Sequence, residues 1–137
     1  MILHINRIEC CAASLLDGLL VIQSTSSAIP HTPLIPWREI PIAVLATLEV
    51  TEEVDSGVRL FQSKLTATLC GQRAALPDGP LAFRLTSVSG YTYLLGTHRH
   101  PYPLTAQEVR LPSSPAEPSI VTLTVSLSDE FGLLRIV

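Results

Sequence analysis

The sequence predicts an all-β fold, an antiparallel sandwich or partly open barrel of about six to eight strands joined by proline-rich connectors. Two stretches, Ile42 to Leu69 and Leu81 to Thr97, each contain two β-rich runs joined by a short turn, which is the pattern of a hairpin. Prolines are concentrated in residues 24–41 and 96–118, where they argue against a central strand. Strand and helix patterns do not alternate, so the nucleotide-binding α/β folds are not expected.

The N-terminal segment predicts two strands joined by a tight turn. Polar and apolar residues nearly alternate from Ile2 to Cys10, and Asp17-Gly18 is a dipeptide typical of hairpin turns. We therefore expect strands at about residues 3–14 and 19–24. A helix over residues 9–16 is the alternative, because this stretch contains no helix-breaking residue.

The stretch from Ser24 to Pro41 predicts an ordered connector that lies over a face of the sheet. Proline lacks an amide hydrogen and fixes φ, so a chain rich in it cannot run as a helix interior or a central strand. Trp37 is the expected anchoring residue of this connector, since an indole buries a large area when it packs. The alternative is an extended arm that reaches a neighbouring subunit.

The clearest hairpin spans Ile42 to Leu69. From Val58 to Leu69, small or apolar side chains alternate with polar ones, which is typical of a strand with one face on a core and the other in water. Asp55-Ser56-Gly57 supplies the turn. We therefore expect a long antiparallel hairpin here.

The second half of the chain continues the same pattern. A loop over residues 71–80 has a tight corner at Pro77-Asp78-Gly79-Pro80. Alternating apolar residues follow it and return after Ser89-Gly90, and another alternating run precedes the C-terminus. The strands expected from these runs are Leu81 to Val88, Tyr91 to Leu95, Ser119 to Leu127 and a closing strand in Phe131 to Val137.

The composition predicts a single domain that associates with another chain. A chain of 137 residues has the usual size of one domain, so we expect one β domain over residues 1–137. Hydrophobic residues make up 47% and charged residues only 15%, with a mean hydropathy of +0.38. This apolar surplus predicts a face buried against a second copy or another structural protein.

Charge and hydropathy argue against other partners. The net charge is -3, and eight scattered arginines with one lysine, Lys64, form no basic stripe for nucleic acid. No run of about eighteen apolar residues lacks a charge, so no membrane-spanning helix is expected. His4, Arg7 and Glu9 precede any apolar run, unlike a secretory signal, so we expect synthesis in the cytoplasm.

The most conspicuous local cluster runs from Gly96 to Pro103. His98 and His100 share a face of an extended chain and have the spacing to hold a metal, with His4 or His31 as a remote ligand. Adjacent prolines and the lack of a nearby acidic residue favour hydrogen-bonded loop histidines instead, or a pH-sensitive contact. We therefore expect no metal and no cofactor.

No catalytic constellation is evident, so we expect a protein that is not an enzyme. Ser87-Val88-Ser89-Gly90 lacks the nucleophile elbow, and Cys70 has no histidine near it in sequence. Glu52-Glu53 beside a turn is typical of a solvated strand edge. The three cysteines are interpreted as small buried hydrophobic residues, because no second pair offers metal-ligand spacing.

Three stretches carry a resemblance to a known group of proteins: Leu48 to Glu53 leading to Arg59 to Leu65, Phe83 to Thr97, and Pro101-Tyr102-Pro103. They resemble small β-rich proteins of prophage and phage structural gene clusters. The resemblance covers part of the chain and brings no catalytic residues. It implies a small virion-associated component, for example at a tail or head-tail junction.

Two functional hypotheses follow. The preferred one is a structural or interaction protein that works by self-association. The alternative is a small-molecule or carbohydrate-binding β module, whose pocket would be formed by the loops around Trp37 and from His98 to Tyr102. Trp37, His98, His100 and Tyr102 are therefore the candidate interface or pocket residues.

Overall fold

A computed structural model of the chain describes residues 1–16, 28–29, 36–70, 73–96, 102–111, 120–129 and 134–136. Within this part the chain forms ten strands and one 3-10 turn, and no residue is α-helical. The elements are β1 (Ile2–Ala12), the 3-10 turn (Ala13–Leu16), β2 (Ala28–Ile29), β3 (Arg38–Ile40), β4 (Ala46–Asp55), β5 (Val58–Leu69), β6 (Leu81–Ser87), β7 (Thr92–Leu95), β8 (Leu104–Arg110), β9 (Ile120–Asp129) and β10 (Leu134–Ile136).

The strands form one sheet in the order β2-β10-β7-β6-β1-β4-β5-β9-β8, with β3 also paired to β1. Among the described pairings only β2 with β10 is parallel. The sheet curls into an open half-barrel. The predicted all-β, antiparallel, partly open architecture is therefore confirmed, and without the very short β2, β3 and β10 the strand number also agrees.

The hairpin of β4 and β5 has the predicted turn. Ser56 and Gly57 have φ of 52° and 80°, so both central residues are left-handed, as a type I′ turn requires. Asp55 and Val58 form the closing pair. The expected start at Ile42 is wrong: β4 begins at Ala46, and Ile42 makes an isolated bridge to Leu69 ahead of a bend in the chain.

One face of the sheet carries the core. Buried and solvent-facing residues alternate along β5 and β9, as predicted for both strands. The same face of β1, β4, β6 and β7 contributes the rest, and the loop residues Ala74 and Leu76 pack against it. The largest fully buried side chains in this cluster are Phe83, Ile5, Ile8, Leu48, Leu65, Leu85, Leu95 and Leu123.

The N-terminal strand confirms one prediction and overturns another. β1 covers most of the expected strand and then ends in the 3-10 turn. The helix considered over residues 9–16 is wrong, because Glu9 to Ala12 pair with β6 in the sheet. The strand predicted at residues 19–24 lies outside the described residues. The 3-10 turn is also too short to cross a membrane, and no other helix occurs in the described part.

Two strands lie inside the predicted connectors. β3 occupies the positions between Pro36 and Pro41 and pairs with β1, while β8 lies between Pro103 and Pro112 and pairs with β9. The sequence does not predict either strand, although neither is the central strand that the prolines argue against, since β3 pairs only with β1 and β8 only with β9 among the described strands. A proline removes only its own donor and restricts the residue before it. The residues between two prolines therefore keep their backbone donors, and here these stretches are long enough to pair as strands.

The predicted loop before β6 is confirmed over residues 73–80 and ties β8 to the rest of the barrel. The backbone amide of Ala74 donates to Gln107 Oε1 at 2.8 Å, and Gln107 Nε2 donates to the Ala74 carbonyl at 3.1 Å. On the other side of the loop, an Arg38 nitrogen donates to the Ala75 carbonyl at 3.4 Å. The two-point amide contact fixes β8 relative to the loop that closes over the core.

Candidate functional site

Strand β8, with Leu111 after it, forms an exposed edge of the sheet, called here the β8 edge. Within the described residues β8 pairs only with β9. Leu104 and Leu111 are 74% and 76% exposed, and Val109 is 41% exposed although Val121, opposite it on β9, is buried. The core face of the sheet therefore continues to Val109 and is left open to solvent there.

The β8 edge carries little of the protection that natural sheet edges have. Lysine, proline and bulges normally keep an edge from pairing with another chain. From Leu104 to Leu111 there is neither lysine nor proline, and the only charged residues are Glu108 and Arg110. All residues of β8 except the half-buried Gln107 are exposed. On the side away from β9, β8 is not paired with any strand of the described ranges.

A groove of about 570 Å³, called here the Tyr102 groove, lies beside the same edge. Its floor comes from two cross-strand rows on the face opposite the core. The half-buried Tyr102, just before β8, lines the groove beside them. The first row is Glu49, Lys64, Ser126 and Leu104, and the second is Thr51, Gln62 and Ser128.

The charges in the Tyr102 groove balance each other. Glu49 and Lys64 stand directly opposite on β4 and β5, and within the described part of the chain neither makes an ion pair within 4 Å. Gln62 donates to Glu53 at 3.1 Å at the end of the groove. The groove therefore offers donors, acceptors and one aromatic ring, with no excess of either charge, which suits a neutral polar ligand.

The candidate residues predicted from the sequence lie in different places. Tyr102 lines the groove, whereas Trp37 does not: its ring lies 4.9 Å from the guanidinium carbon of Arg84, and it is half-buried. His98 and His100 lie outside the described residues. The two ends of their loop meet, because a side chain on Gly96 (φ +94°) would come within 2.6 Å of Pro103 Cγ, so only glycine fits there.

A buried ion pair that the sequence did not reveal lies beneath Trp37. Glu9 is buried, and Arg84 donates to it through two nitrogens, Nε at 3.0 Å and Nη2 at 2.5 Å. The exposed Arg7 adds a weaker contact at 3.6 Å. Glu9 and Arg84 are opposite each other on β1 and β6 but 75 positions apart in sequence. The pair has the geometry of a structural contact.

The two adjacent cysteines are buried thiols, and the third is exposed. Cys10 and Cys11 are buried and free, as predicted, and burial raises the pKa of the Cys10 thiol. Burial and the neighbouring Cys10 raise the pKa of Cys11 to about 11, so both thiols stay protonated at neutral pH. Cys70 corrects the prediction: it is exposed, because it follows the end of β5. No three His, Cys, Asp or Glu residues of the described ranges gather as a metal site.

Comparison with protein-family models, curated proteins and solved structures finds no match for this chain. The functional conclusion therefore depends on the geometry of the β8 edge and the Tyr102 groove.

Proposed function

We propose that the protein is a non-enzymatic structural protein that works by self-association through the β8 edge. The observation that supports this proposal is the exposure of Val109 and Leu111 at the open end of the core face. A strand added at this edge would pair the backbone groups of β8 that point away from β9, and it would cover these two side chains. The apolar surplus of the whole chain supports the same conclusion.

The sequence resembles small β-rich proteins of prophage and phage structural gene clusters, which supports a role in a virion. Small β-rich components of phage-type virions work by assembly with copies of themselves and with neighbouring structural proteins. We propose the same role for this chain, at a tail or head-tail junction. Mass spectrometry of particles purified after prophage induction should then detect the chain, and particles that lack it would contradict this part of the proposal.

Val109→Lys should convert the assembly to a monomer. The substitution places a charge where two apolar side chains would meet, and we expect it to raise the dissociation constant by about tenfold or more. Sedimentation equilibrium at low and high micromolar concentration measures the change. Val88→Lys is the matched control, because Val88 is a 55% exposed valine in the turn between β6 and β7. A wild-type chain that stays monomeric at high micromolar concentration would refute the proposal.

A second candidate function is carbohydrate binding in the Tyr102 groove. The volume of about 570 Å³ lies within the range of small-molecule sites. A tyrosine ring beside hydroxyl and amide groups and one residue of each charge presents both an apolar platform and hydrogen-bonding partners. A neutral sugar ring has complementary surfaces, with C–H groups on its faces and hydroxyls around its rim.

Binding of a neutral saccharide should depend on the ring of Tyr102. We expect Tyr102→Ala to weaken binding by about fivefold, since the lost ring contact is worth roughly one kcal/mol, and Tyr102→Phe to retain most of it. Titration of ¹⁵N-labelled protein with neutral mono- and disaccharides measures both. Tyr91→Ala is the control, because Tyr91 is exposed in a turn that does not line the groove. Equal weakening by the control, or no response of groove amides to any saccharide, would exclude this function.

A further inference from the structure

We infer that two copies pair their β8 strands antiparallel about a two-fold axis at Val109, so that Glu108 of each copy faces Arg110 of the other. This inference rests on the proposed self-association and adds to it the identity of the partner and the register. It follows from the order of side chains along the β8 edge and from the symmetry of a pair of identical strands.

Symmetry restricts the possible registers. Two identical edges that form a closed dimer use the same residues on both sides. In an antiparallel pair the two-fold axis stands perpendicular to the sheet, so every side chain stays on its own face. Directly opposed residues of a sheet share a face, so opposed positions of the two copies must differ by an even number. One residue therefore stands directly opposite its own copy, with the axis midway between the two; this is called the residue on the axis. Each register is therefore defined by the residue on the axis.

Charge complementarity selects one of these residues. An axis at Glu108 would oppose two carboxylates, and an axis at Arg110 would oppose two guanidiniums, both unfavourable across strands. An axis at Gln107 would place Glu108 opposite Ala106 and Arg110 opposite Leu104, so neither charge would be matched. An axis at Val109 places Glu108 opposite Arg110 twice and valine opposite valine.

Both charged residues are available for this pairing. Glu108 and Arg110 are exposed, and on β9 they stand opposite Thr122 and Ile120, which carry no charge. Neither residue belongs to an ion pair among the described side chains. They alternate with Val109, so they lie on the face opposite the core and the valine lies on the core face.

The same register covers Val109 and Leu111, the exposed apolar residues of the edge that lie on the core face. Val109 meets Val109 of the second copy, and Leu111 stands opposite Gln107, on the face where Val121 is already buried. The core face of one copy then runs across the axis into that of the other. The inferred pair thus joins apolar contact on one face with two ion pairs on the other.

A cysteine scan tests the register directly. Cys70 is exposed and is replaced by serine, while Cys10 and Cys11 are buried and are kept. In this background Val109→Cys should form a disulfide dimer under mild oxidation, because directly opposed residues have Cα atoms about 4.5–5.5 Å apart. Glu108→Cys and Arg110→Cys should not, since each would lie diagonally from its own copy, at about 7–8 Å. Crosslinking at 108 or 110 in preference to 109 would overturn the register.

Charge reversal gives an independent measurement. Glu108→Arg and Arg110→Glu should each raise the dissociation constant several-fold, and the double variant should restore it. Reversal of the exposed pair Glu52 and Arg59, far from β8, should have no effect. If the dissociation constant of the dimer is the same for all of these variants, the register is refuted, whereas the proposal of self-association is not. A chain that is monomeric under all conditions refutes both.

Discussion

Arg84→Ala should destabilise the fold by about 3–5 kcal/mol, because it leaves the buried carboxylate of Glu9 with only the longer contact to the exposed Arg7, at 3.6 Å. The side chains of Glu9 and Arg84 are only 7% and 18% exposed, so water replaces little of the lost contact. The stacking of Arg84 on Trp37 is lost as well. Urea unfolding monitored by the fluorescence of Trp37, the single tryptophan, measures the change.

Two further variants show how much of this loss comes from the unpaired buried charge and how much from the lost contact. Replacing both partners by apolar residues, Glu9→Leu with Arg84→Met, should cost much less than Arg84→Ala, because no unpaired charge remains. Arg59→Ala removes an ion pair of similar composition from the exposed hairpin end, and its expected cost is below about 1 kcal/mol. Equal losses for Arg84→Ala and Arg59→Ala would show that the pair with Glu9 contributes no more than a surface contact.

The strands that the sequence predicts are those with one buried face and one face towards solvent. In β5, Leu65 and Ala67 are buried while Lys64 and Thr66 face water, so the alternation is visible in the sequence. β6 follows the same rule: the strand predicted at Leu81 to Val88 is confirmed as Leu81–Ser87, with Leu81, Phe83 and Leu85 buried. Ala82 on its other face is buried as well, whereas Arg84 and Thr86 are half-buried.

What the sequence could not supply is the pairing of distant strands. Tyr102 was singled out as a pocket residue, but the floor beside it comes from β4, β5 and β9. The contact of Glu9 with Arg84 depends in the same way on the register of β1 with β6. Register is set by the packing of a whole face, and no short motif records it. The sequence does not predict β8 for a simpler reason. The prolines at 103 and 112 flank it, and a proline affects only its own position and the residue before it.

The β8 edge and the Tyr102 groove are compatible with each other. The inferred pairing uses residues 107–111, with Val109 on the axis. Leu104 and Tyr102, at the other end of the strand, lie outside that paired segment and remain at the groove. The two proposals are therefore tested at different residues, self-association at 108–110 and saccharide binding at Tyr102.

Phe83→Ala should cost about 3–5 kcal/mol, through lost burial of the ring and the cavity left behind. Phe83 is fully buried in the centre of β6, with Cys10 on β1 and Leu95 on β7 opposite it. Phe61→Ala deletes the same atoms from a half-buried position where β5 meets the end of β9. Because part of that ring is already in water, we expect it to cost about 1–2 kcal/mol.

The comparison of the two phenylalanines tests where the core lies. Thermal unfolding should show the larger loss for Phe83→Ala, with each kcal/mol lowering the midpoint by roughly 4 °C in a domain of this size. Both variants should keep the β8 edge intact where they remain folded, so self-association measured at low temperature should be unchanged. A larger loss for Phe61→Ala than for Phe83→Ala would place the stabilising core at the hairpin end of the sheet and not between β1, β6 and β7.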